Sequence, residues 1–483
     1  MSHLRKVTAF AFCLIFSICL ILIFSSCGTK KEADIVLGTF TIDTGDYDRT
    51  DTPVRYGCLS KEIFGDPKKF QREGSFAYID EGADLSLLRD GNLVLIGKSG
   101  ERIDVQWESE IDYDWQAAGR KGALNWILKG TIPKGTKQSY KLVLENSSPK
   151  SSTFNVEHID NKNLLIKKGE QSVLRYNYGI VQQEEGKKDP YDRAGFIHPL
   201  WTPGGKIITA EFPKEHIHQN GLFLAWVQAK FGDVDGDFWS MGDKPGRMLP
   251  DKFGPSIING PIFTELALFN KGVIGGKIYL REINTVKIYN IASSDVWLFD
   301  LYYKQAPVNP NEPTKIPVEV TGATPKPWEK PRIVEKPPRD TVPSMILEQR
   351  HYGGIAFRGI DEWTGDNIAL DVLTSEGKNH ADGDGTPARW IDYTGPLGDD
   401  WGGLVVFDHP LNKRYPTPLR IHERYSYFCY AFTKDEPYTV YMDEPLELIY
   451  RFAIHNGHPD KELNKRIAND FANPPEVKWK AEN

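Results

Sequence analysis

The sequence predicts an all-β fold in which an N-terminal β-sandwich is followed by a larger, β-supersandwich-like domain. Aromatic residues make up 12% of the 483 residues, and the chain holds 43 glycines and 32 prolines, which is typical of strands joined by tight turns. Short apolar runs bounded by turn residues recur, such as NLVLIG at 92–97 and GLFLAWV at 221–227. Only 461–471 shows helical periodicity, with apolar residues at four-residue steps. Because parallel βαβ units need a helix after each strand, this pattern favours antiparallel sheets.

The N-terminus predicts export. Arg5 and Lys6 precede an apolar run over 7–24, and two serines then lead to Cys27 in a junction that resembles a bacterial lipobox. We expect residues 1–26 to be a lipoprotein signal peptide, Cys27 to be lipidated, and 27–34 to be a polar tether like that of Bacteroidetes lipoproteins. A retained signal anchor is the alternative, since the run approaches the ~20 residues that span a bilayer. The predicted location is the cell envelope, lipid-anchored to the outer membrane and facing either the periplasm or the medium.

Charge and cysteine content narrow the class of partner. The chain has 59 Lys and Arg against 66 Asp and Glu, a formal net charge of −7, and no basic patch, so we expect no nucleic-acid partner and membrane contact through the N-terminal lipid alone. Apart from Cys27 and two cysteines within the signal, Cys58 and Cys429 remain. They form either one disulfide or two buried thiols.

Domain boundaries follow from where the strand-like runs and the polar clusters lie. We place the N-terminal β-sandwich at 35–165 and the larger β domain at 171–473. The stretch 306–343 carries ten prolines and no apolar period, which predicts an extended insertion or a spacer within the larger domain.

The clearest functional signal lies between residues 193 and 239. Three of the eleven histidines of the chain, His198, His216 and His218, occur there among tryptophans and glycines. Crowded imidazoles and indoles on turn-rich sequence indicate a polar site, because a packed core favours aliphatic side chains. The three tryptophans of this stretch could present apolar faces to a ligand: Trp201, Trp226 and Trp239.

His216, His218 and Asn220 follow each other at two-residue steps. On an extended strand such residues project from one face, so two imidazoles and an amide would share one space. That pattern suits a divalent metal held by His216 and His218 with a third ligand from elsewhere, and it suits hydrogen bonds to sugar hydroxyls equally well. A purely structural pair of histidines is the third possibility.

Two later segments carry further candidates. In VVFDHPLNKRYPTP, Asp408, His409 and Asn412 precede Arg414, whose fork could clamp a carboxylate. Asp408 capping a turn and Arg414 pairing on the surface is the alternative. In HYGGIAFRG, Arg358 follows a Gly-Gly step and could border the same cavity or belong to an ordinary strand.

The order of these segments resembles one known family. The segments RAGFIHPLWTPGG, EFPKEHIHQNGLFLAW, DFW, YGGIAFR, WIDYTGP and FDHPLNKRYPTP are similar to those of the PmoA-like family, labelled "methane oxygenase PmoA", over about residues 171–472. Family members carry paired histidines followed by arginine at the central motif; this chain keeps His216 and His218, with Gln219 and Asn220 at the other two positions. Such proteins are exported and accompany carbohydrate-degrading enzymes, so the resemblance implies a saccharide-related role.

These observations favour a carbohydrate-active lyase or glycoside hydrolase with a histidine-rich site. The predicted catalytic residues are His198, His216, His218 and His409. The predicted substrate-binding residues are Trp201, Asn220, Trp226, Trp239, Arg358, Asp408, Asn412 and Arg414. A noncatalytic glycan-binding envelope lipoprotein is the alternative, and a redox metalloprotein is a third class that would require bound copper or iron.

Overall fold

The computed structural model describes residues 34–59, 62–63, 92–109, 121–148, 150–183, 190–242, 244–311, 338–366 and 369–482. The predicted signal peptide and Cys27 lie outside the described residues, as does most of the predicted proline-rich insertion. Within the described ranges, no helix combines the length and the hydropathy needed to cross a bilayer.

The predicted all-β architecture is confirmed, because strands dominate the described chain and a single longer helix lies near its end. The bounds are β1 (Ile35–Asp43), β2 (Arg49–Leu59), β3 (Asn92–Gly97), β4 (Arg102–Asp104), β5 (Gln106–Ser109), β6 (Lys121–Ile132), β7 (Lys137–Glu145), β8 (Phe154–Ile159), β9 (Asn163–Lys168), β10 (Gln171–Asn177), β11 (Phe196–Leu200), β12 (Leu222–Ala225), β13 (Ala229–Phe231), β14 (Val234–Gly236), β15 (Arg247–Pro250), β16 (Ser256–Asn259), β17 (Phe263–Ile274), β18 (Lys277–Tyr289), β19 (Val296–Pro307), β20 (Ser344–Leu347), β21 (Gly354–Arg358), β22 (Asp371–Thr374), β23 (Trp390–Leu397), β24 (Asp400–Asp408), β25 (Leu419–Ile421), β26 (Tyr427–Tyr430), β27 (Tyr438–Tyr441), β28 (Leu446–Asn456), α1 (Lys461–Ala472) and β29 (Glu476–Ala481).

The N-terminal sandwich packs a five-stranded sheet, in the order β29-β1-β7-β3-β4, against a three-stranded sheet, β2-β6-β5. Phe40 and Leu142 from the first sheet and Trp126 from the second meet in one fully buried core. The C-terminal strand β29 pairs antiparallel with β1, with Trp479 opposite Phe40. The sandwich predicted within 35–165 is therefore completed by a strand from the other end of the chain.

The larger β body consists of two sheets that share a second core. One has eight strands, in the order β25-β26-β21-β12-β11-β10-β9-β8, and the other has nine, β15-β17-β18-β19-β28-β24-β23-β22 with β16 paired to β17. Strand β8 and the start of β9 lie within the predicted range of the N-terminal sandwich, but both strands pair into the eight-stranded sheet. A further four-stranded sheet has the order β14-β13-β20-β27.

Two-residue alternation gives the eight-stranded sheet an inner and an outer face. Ile197, Leu222, Phe357 and Phe428 form one cross-strand row that faces the shared core. The neighbouring row points outward: Phe196, Phe223, Ala356 and Cys429. This outer face is where the polar segments of the sequence collect.

Helix α1 confirms the helical periodicity seen in the sequence. Asp460 caps its N-terminus by accepting hydrogen bonds from the backbone N–H groups of Glu462 and Leu463. Ile467 and Phe471 pack with Trp390 on the outer face of the nine-stranded sheet. The helix and the N-terminal sandwich therefore lie against the nine-stranded sheet and leave the outer face of the eight-stranded sheet to loops.

Cys58 and Cys429 are both free thiols, so the disulfide considered from the sequence is not formed. Burial raises the pKa of Cys58 to about 12 and that of Cys429 to about 11, which keeps both protonated and unreactive at neutral pH.

Candidate functional site

The loop that carries His216 and His218 is fastened to strand β21. Arg358 donates its backbone N–H to Gly221 O at 2.8 Å, and Arg358 O accepts from the N–H of Ala210 at 3.2 Å. Gly221 has a positive φ of 53°, and a Cβ there would lie 2.0 Å from the carbonyl oxygen of Ile197. Only glycine allows the loop to approach the sheet this closely.

His216 and His218 lie in a turn, so the extended strand predicted for them is wrong. His216 has a φ of 60°, and its carbonyl accepts from the N–H of Gln219 at 2.8 Å. The two imidazole centroids are 5.9 Å apart. A left-handed residue other than glycine is uncommon and is found at functional sites more often than elsewhere. The prediction that both imidazoles share one space holds, although the backbone conformation that produces it is different.

A third histidine and a tyrosine, which the sequence analysis missed, complete the cluster. The ring of His422 lies 5.9 Å from that of His216, and the ring of Tyr425 lies 4.7 Å from His216 and 4.5 Å from His422. His422 Nδ1 accepts the backbone N–H groups of Arg424 and Tyr425, at 3.2 and 3.3 Å. That fixes the proton of the neutral ring on Nε2. Below, "the histidine site" means His216, His218, His422 and Tyr425 with Arg193 and Arg358.

Two buried arginines lie beside these rings. Arg358 is 0% exposed, its Nη2 lies 3.2 Å from Asp361, and its guanidinium carbon is 5.7 Å from the Tyr425 centroid. Its Nε and Nη1 have no hydrogen-bond partner among the described residues. Arg193 is 1% exposed, stacks 4.4 Å from the Phe223 centroid, and donates from Nη1 to His218 O, whereas its Nε lacks a partner. Buried N–H groups without partners are costly, so this region holds donors for a ligand.

The electrostatics of the site keep its imidazoles neutral. Burial, reinforced by His216, Arg193 and Arg358, lowers the pKa of His218 to about 4. Burial and the nearby Arg420 likewise lower the pKa of His422 to about 4, and burial with Arg358 lowers the pKa of His216. Of the acids around these groups, Asp361 is 60% exposed and Glu215 is exposed, so solvent screens both, whereas the buried Glu282 partly opposes the lowering of the Arg193 pKa. The site is therefore electropositive and carries free proton acceptors at neutral pH.

The same residues do not fit a metal ion. No group of three or more His, Cys, Asp or Glu side chains in the described ranges is arranged to hold one. His216 and His218 lie together as the sequence suggested, but Nδ1 of the neighbouring His422 is turned to backbone N–H groups. We derive no step through a metal.

His198 lies on the same outer face but apart from the cluster. Its Nδ1 is 3.0 Å from Thr209 Oγ1, and burial beside Arg175 lowers its pKa to about 4. Two strand spacings, roughly 10 Å, separate its strand β11 from Arg358 on β21. Trp201, one residue beyond β11, pairs with Ile207 across the turn that follows.

The other predicted residues of the 193–239 stretch are packed. Trp226 is buried in the shared core and donates from Nε1 to Gln305 Oε1 at 2.7 Å. Trp239 is 1% exposed and packs on Phe223 at 4.9 Å, behind the site. Asn220 is buried, and its Oδ1 accepts the N–H of Phe212. Trp239 and Asn220 are packed behind the site, Trp226 belongs to the core between the sheets, and neither indole presents a face to solvent.

The structure does not bring the 408–414 segment to the histidines. Asp408 accepts hydrogen bonds from the backbone N–H groups of His409 and Thr417 and from Asn412 Nδ2, so it caps the turn. Asn412 in addition bonds the backbone N–H and the carbonyl of Ile449. His409 packs edge-on to Phe471 of α1, 4.6 Å between centroids. Because α1 covers the nine-stranded sheet, His409 lies across the whole sandwich from His216.

Arg414 is also fully engaged elsewhere. Its guanidinium donates to the carbonyls of Phe432, Glu436 and Pro437, at 2.7 to 2.8 Å, and to the Glu436 carboxylate at 3.2 Å. Both Nη atoms of Arg414 are therefore occupied and cannot form the bidentate clamp on a substrate carboxylate, so the surface pairing considered from the sequence is what the structure shows. Arg358 and Arg193 are the arginines of the histidine site that keep N–H groups without partners among the described residues.

Comparison with known proteins places this site within a family. The sequence profile of a family of unknown function (DUF6807) matches residues 163–469, more than half of the chain. The chain belongs to DUF6807. The DUF6807 span begins with β9, ends within α1 and contains every residue of the histidine site. No curated protein matches this DUF6807 member.

Solved structures similar to this DUF6807 protein include two from Enterococcus faecalis. A protein in glycosyl hydrolase family 38 aligns with a TM-score of 0.37 and 10% identity, covering 92% of this chain and 48% of that one. An α-mannosidase from strain V583 aligns with a TM-score of 0.34 and 9% identity, covering 92% and 46%. The chain thus spans about half the length of either structure.

Proposed function

We propose that this protein is an exported envelope lipoprotein that acts on carbohydrate, and that its histidine site cleaves a saccharide next to a uronate carboxylate by elimination. One observation carries the proposal: a fully buried guanidinium, Arg358, has two N–H-bearing nitrogens without partners and faces imidazoles that are neutral. The envelope location and the resemblance to PmoA-like proteins, both predicted from the sequence, are consistent with it.

The arginines define the charge of the ligand. A guanidinium presents paired N–H donors in a plane that matches a carboxylate, and such charge-assisted bonds are about twice as strong as neutral ones. Arg358 and Arg193 are both buried, and burial lowers the pKa of each, which means that their charges lack full compensation from the protein. A ligand carboxylate would supply it.

The imidazoles supply the base. A general base must be unprotonated and within hydrogen-bond reach of the proton that it removes. Histidines whose pKa lies near 4 are unprotonated at neutral pH, and the exposed ring of His216 is the one that a substrate meets first. The backbone bonds to His422 Nδ1 leave its Nε2–H as a donor to the substrate.

A neutral imidazole, His216 or His218, takes the proton from the carbon that bears the carboxylate, while Arg358 stabilises the negative charge that develops on the carboxylate. The released electron pair forms a carbon–carbon double bond, the glycosidic carbon–oxygen bond on the adjacent carbon breaks, and the leaving oxygen takes a proton from Tyr425 or His422. The products are an unsaturated uronate and a shortened saccharide.

Hydrolysis is less well supported at this site. Most glycoside hydrolases use two carboxyl groups that flank the scissile bond. Around the imidazoles the acids are Asp361, which is paired with Arg358, and the exposed Glu215 and Glu423, and the buried Glu282 lies on the Arg193 side, bonded to Asn270 and Gln305.

Noncatalytic glycan binding is the second candidate. Tyr425 is half-buried and packs against two imidazoles, and an aromatic surface of this kind suits the apolar face of a pyranose ring. Under this alternative the histidines only shape the surface.

The double variant His216→Ala/His218→Ala separates the two candidates. Turnover of uronate oligosaccharides is followed by the ultraviolet absorbance of the unsaturated product, and binding is followed by titration calorimetry. If the site is a lyase, the variant loses at least about 10³-fold in turnover, the range that acid–base groups contribute, and still binds. If wild-type protein binds uronates without forming the product, the glycan-binding candidate replaces the lyase. If it neither binds nor cleaves any uronate, the proposal is wrong.

A further inference from the structure

A second polar cleft lies on the opposite side of the molecule, between the three-stranded sheet of the N-terminal sandwich and the outer face of the nine-stranded sheet. It has a volume of about 550 Å³, within the range of small-molecule sites. Strands β2, β5 and β6 form one wall, and β17, β18, β19 and β28 form the other. None of its lining residues belongs to the histidine site.

A row of alternating charges crosses one side of the cleft. Glu265 is opposite Lys287, Lys287 is opposite Asp300, and Asp300 is opposite Arg451 on four successive strands. Lys287 Nζ lies 3.0 Å from Glu265 Oε2, and Arg451 bonds Asp300 through Nε and Nη2, at 2.7 and 2.9 Å. Opposite charges directly across a β-ladder stabilise each other. Because the row contains two acids and two bases, it adds no net charge.

From the opposite wall of the cleft, the N-terminal sandwich contributes one further carboxylate and one further cation, which bond each other. Glu108 Oε2 lies 2.5 Å from Lys287 Nζ and accepts from Arg55 Nε at 3.1 Å. Although burial acts in the other direction, Lys287 and Arg55 hold the pKa of Glu108 at about 2, whereas burial raises the pKa of Glu265. Carboxylates and cations thus alternate as acceptors and donors on both walls.

The floor of the cleft beside this row of charges is lined by uncharged side chains. The next cross-strand row is Ala267, Thr285, Tyr302 and Ile449, and the last three line the cleft. Thr285 and Tyr302 are half-buried, so a hydroxyl and an aromatic ring face the cleft beside the apolar Ile449. This combination of ring, hydroxyl and apolar surface flanked by alternating donors and acceptors is suited to a polyhydroxylated ring.

The cleft has room for more than one ring. On the other side of the Asp300–Arg451 ion pair lies a cavity of about 410 Å³, lined by Arg451 and His455 among others. The ion pair of Asp300 with the buried Arg451 separates the two cavities.

We propose that this cleft is a second ligand site, which binds a neutral oligosaccharide. The charges of the cleft are paired with one another, so a ligand that carries its own charge gains nothing there, whereas hydroxyl groups can both donate to carboxylates and accept from Lys287 or Arg55. The inference rests on the proposed carbohydrate function and gives the protein two saccharide sites of opposite character, one for an anionic residue and one for neutral residues.

Calorimetric titration of the purified protein with neutral tetrasaccharides of glucose, galactose and mannose tests the inference. Thr285→Trp should fill the cleft and weaken binding of the best tetrasaccharide at least about 30-fold, and Tyr302→Ala should weaken it about 10-fold. Thr439→Trp, on an exposed strand position of β27, is the matched control and should bind like wild type. Circular dichroism checks that each variant is folded, and Arg55→Gln, at the exposed rim, replaces Thr285→Trp if that variant does not fold.

Uronate turnover, measured on the same proteins, separates the two proposals. Loss of neutral binding with unchanged uronate turnover in Thr285→Trp supports the second site. Binding that is equal in Thr285→Trp and wild type, or no neutral binding by a wild-type protein that cleaves uronate, overturns the second site and leaves the proposed function intact. Neutral binding that depends on Thr285, in a protein that cleaves no uronate, supports the cleft and contradicts the lyase.

Discussion

The outer faces of the two large sheets both bury charged side chains, but they compensate those charges differently. On the nine-stranded sheet, Lys287, Asp300 and Arg451 each lie within 3.0 Å of an opposite charge. On the eight-stranded sheet, Arg358 meets one largely exposed carboxylate and neutral rings, and two of its nitrogens lack partners. Paired buried charges fix how elements dock, whereas unpaired ones indicate a missing ligand.

Histidines on the two faces show the same contrast. His455 on β28 lies 3.2 Å from Asp392, and this carboxylate raises the pKa of His455 in spite of burial. His218 lies beside Arg193 and Arg358, and its pKa falls to about 4. One face stabilises positive charge on an imidazole, and the other opposes it. Substitutions on the two faces should therefore affect different properties of the protein.

Arg358→Gln should have the largest effect, and that effect should be on function. Removing a buried charged partner of a ligand carboxylate costs about 4 kcal/mol, so we expect kcat/KM for uronate to fall about 10³-fold with little change in thermal stability. Arg389→Gln, an exposed arginine that lies 3.8 Å from Glu376, is the control and should retain full turnover. Equal activity of the two variants would remove Arg358 from the site.

Lys287→Met should have the next largest effect, on stability instead. The substitution leaves Glu108 and Glu265 buried without their shared cation, which should lower the free energy of unfolding by about 3–5 kcal/mol. Lys277→Met, exposed at the start of the same strand, should change it by less than about 0.5 kcal/mol. Denaturant titration measures both. A stable Lys287→Met protein would mean that the charge row does not hold the N-terminal sandwich against the nine-stranded sheet.

The pH dependence should differ in sign between the faces. Folding lowers the pKa of His218 and His422 to about 4, so their neutral forms contribute stability that is complete above the unfolded value near 6.5 and is lost as pH falls toward 4. Folding raises the pKa of His455, so its contribution is complete below about 6.5 and is lost as pH rises through its folded pKa. Imidazole NMR titration resolves these groups. Titration of His218 near 6.5 would contradict the electropositive environment.

His409→Ala should have the smallest effect. His409 packs against Phe471, across the sandwich from the histidine site, so turnover should stay within about twofold of wild type and stability should fall by about 1 kcal/mol. Steady-state kinetics and thermal unfolding measure the two values. A loss of turnover comparable to that of His216→Ala would show that His409 acts at the site after all.

The fold was largely predictable because its signals are local. Alternation of apolar residues and turn residues at short intervals define antiparallel sheets without knowledge of the partners, and helix α1 is visible from its four-residue period. The pairing of β29 with β1 was not predictable, because it joins segments more than 400 residues apart through strands of ordinary composition.

The histidine site was predictable only in part, because some of its residues are brought together by long-range strand pairing. His216 and His218 are close in sequence, so their proximity needed only a turn. His422 and Tyr425 reach them because β26 pairs with β21, a contact that single-sequence patterns do not encode. Asp408 and Arg414 looked functional by residue type, but Asp408 accepts hydrogen bonds within a local turn and Arg414 donates to backbone carbonyls. Residue type indicates which chemistry a side chain can perform, and only the tertiary structure determines which side chains are available to perform it.

The most direct test of the histidine site is a crystal structure of the protein with a bound uronate oligosaccharide. We predict density over Tyr425 with the uronate carboxylate within about 3 Å of the Arg358 guanidinium, the distance of a charge-assisted hydrogen bond, and with His216 next to the carbon that bears the carboxylate. A uronate bound elsewhere, or bound here with its carboxylate turned away from Arg358, would contradict the account.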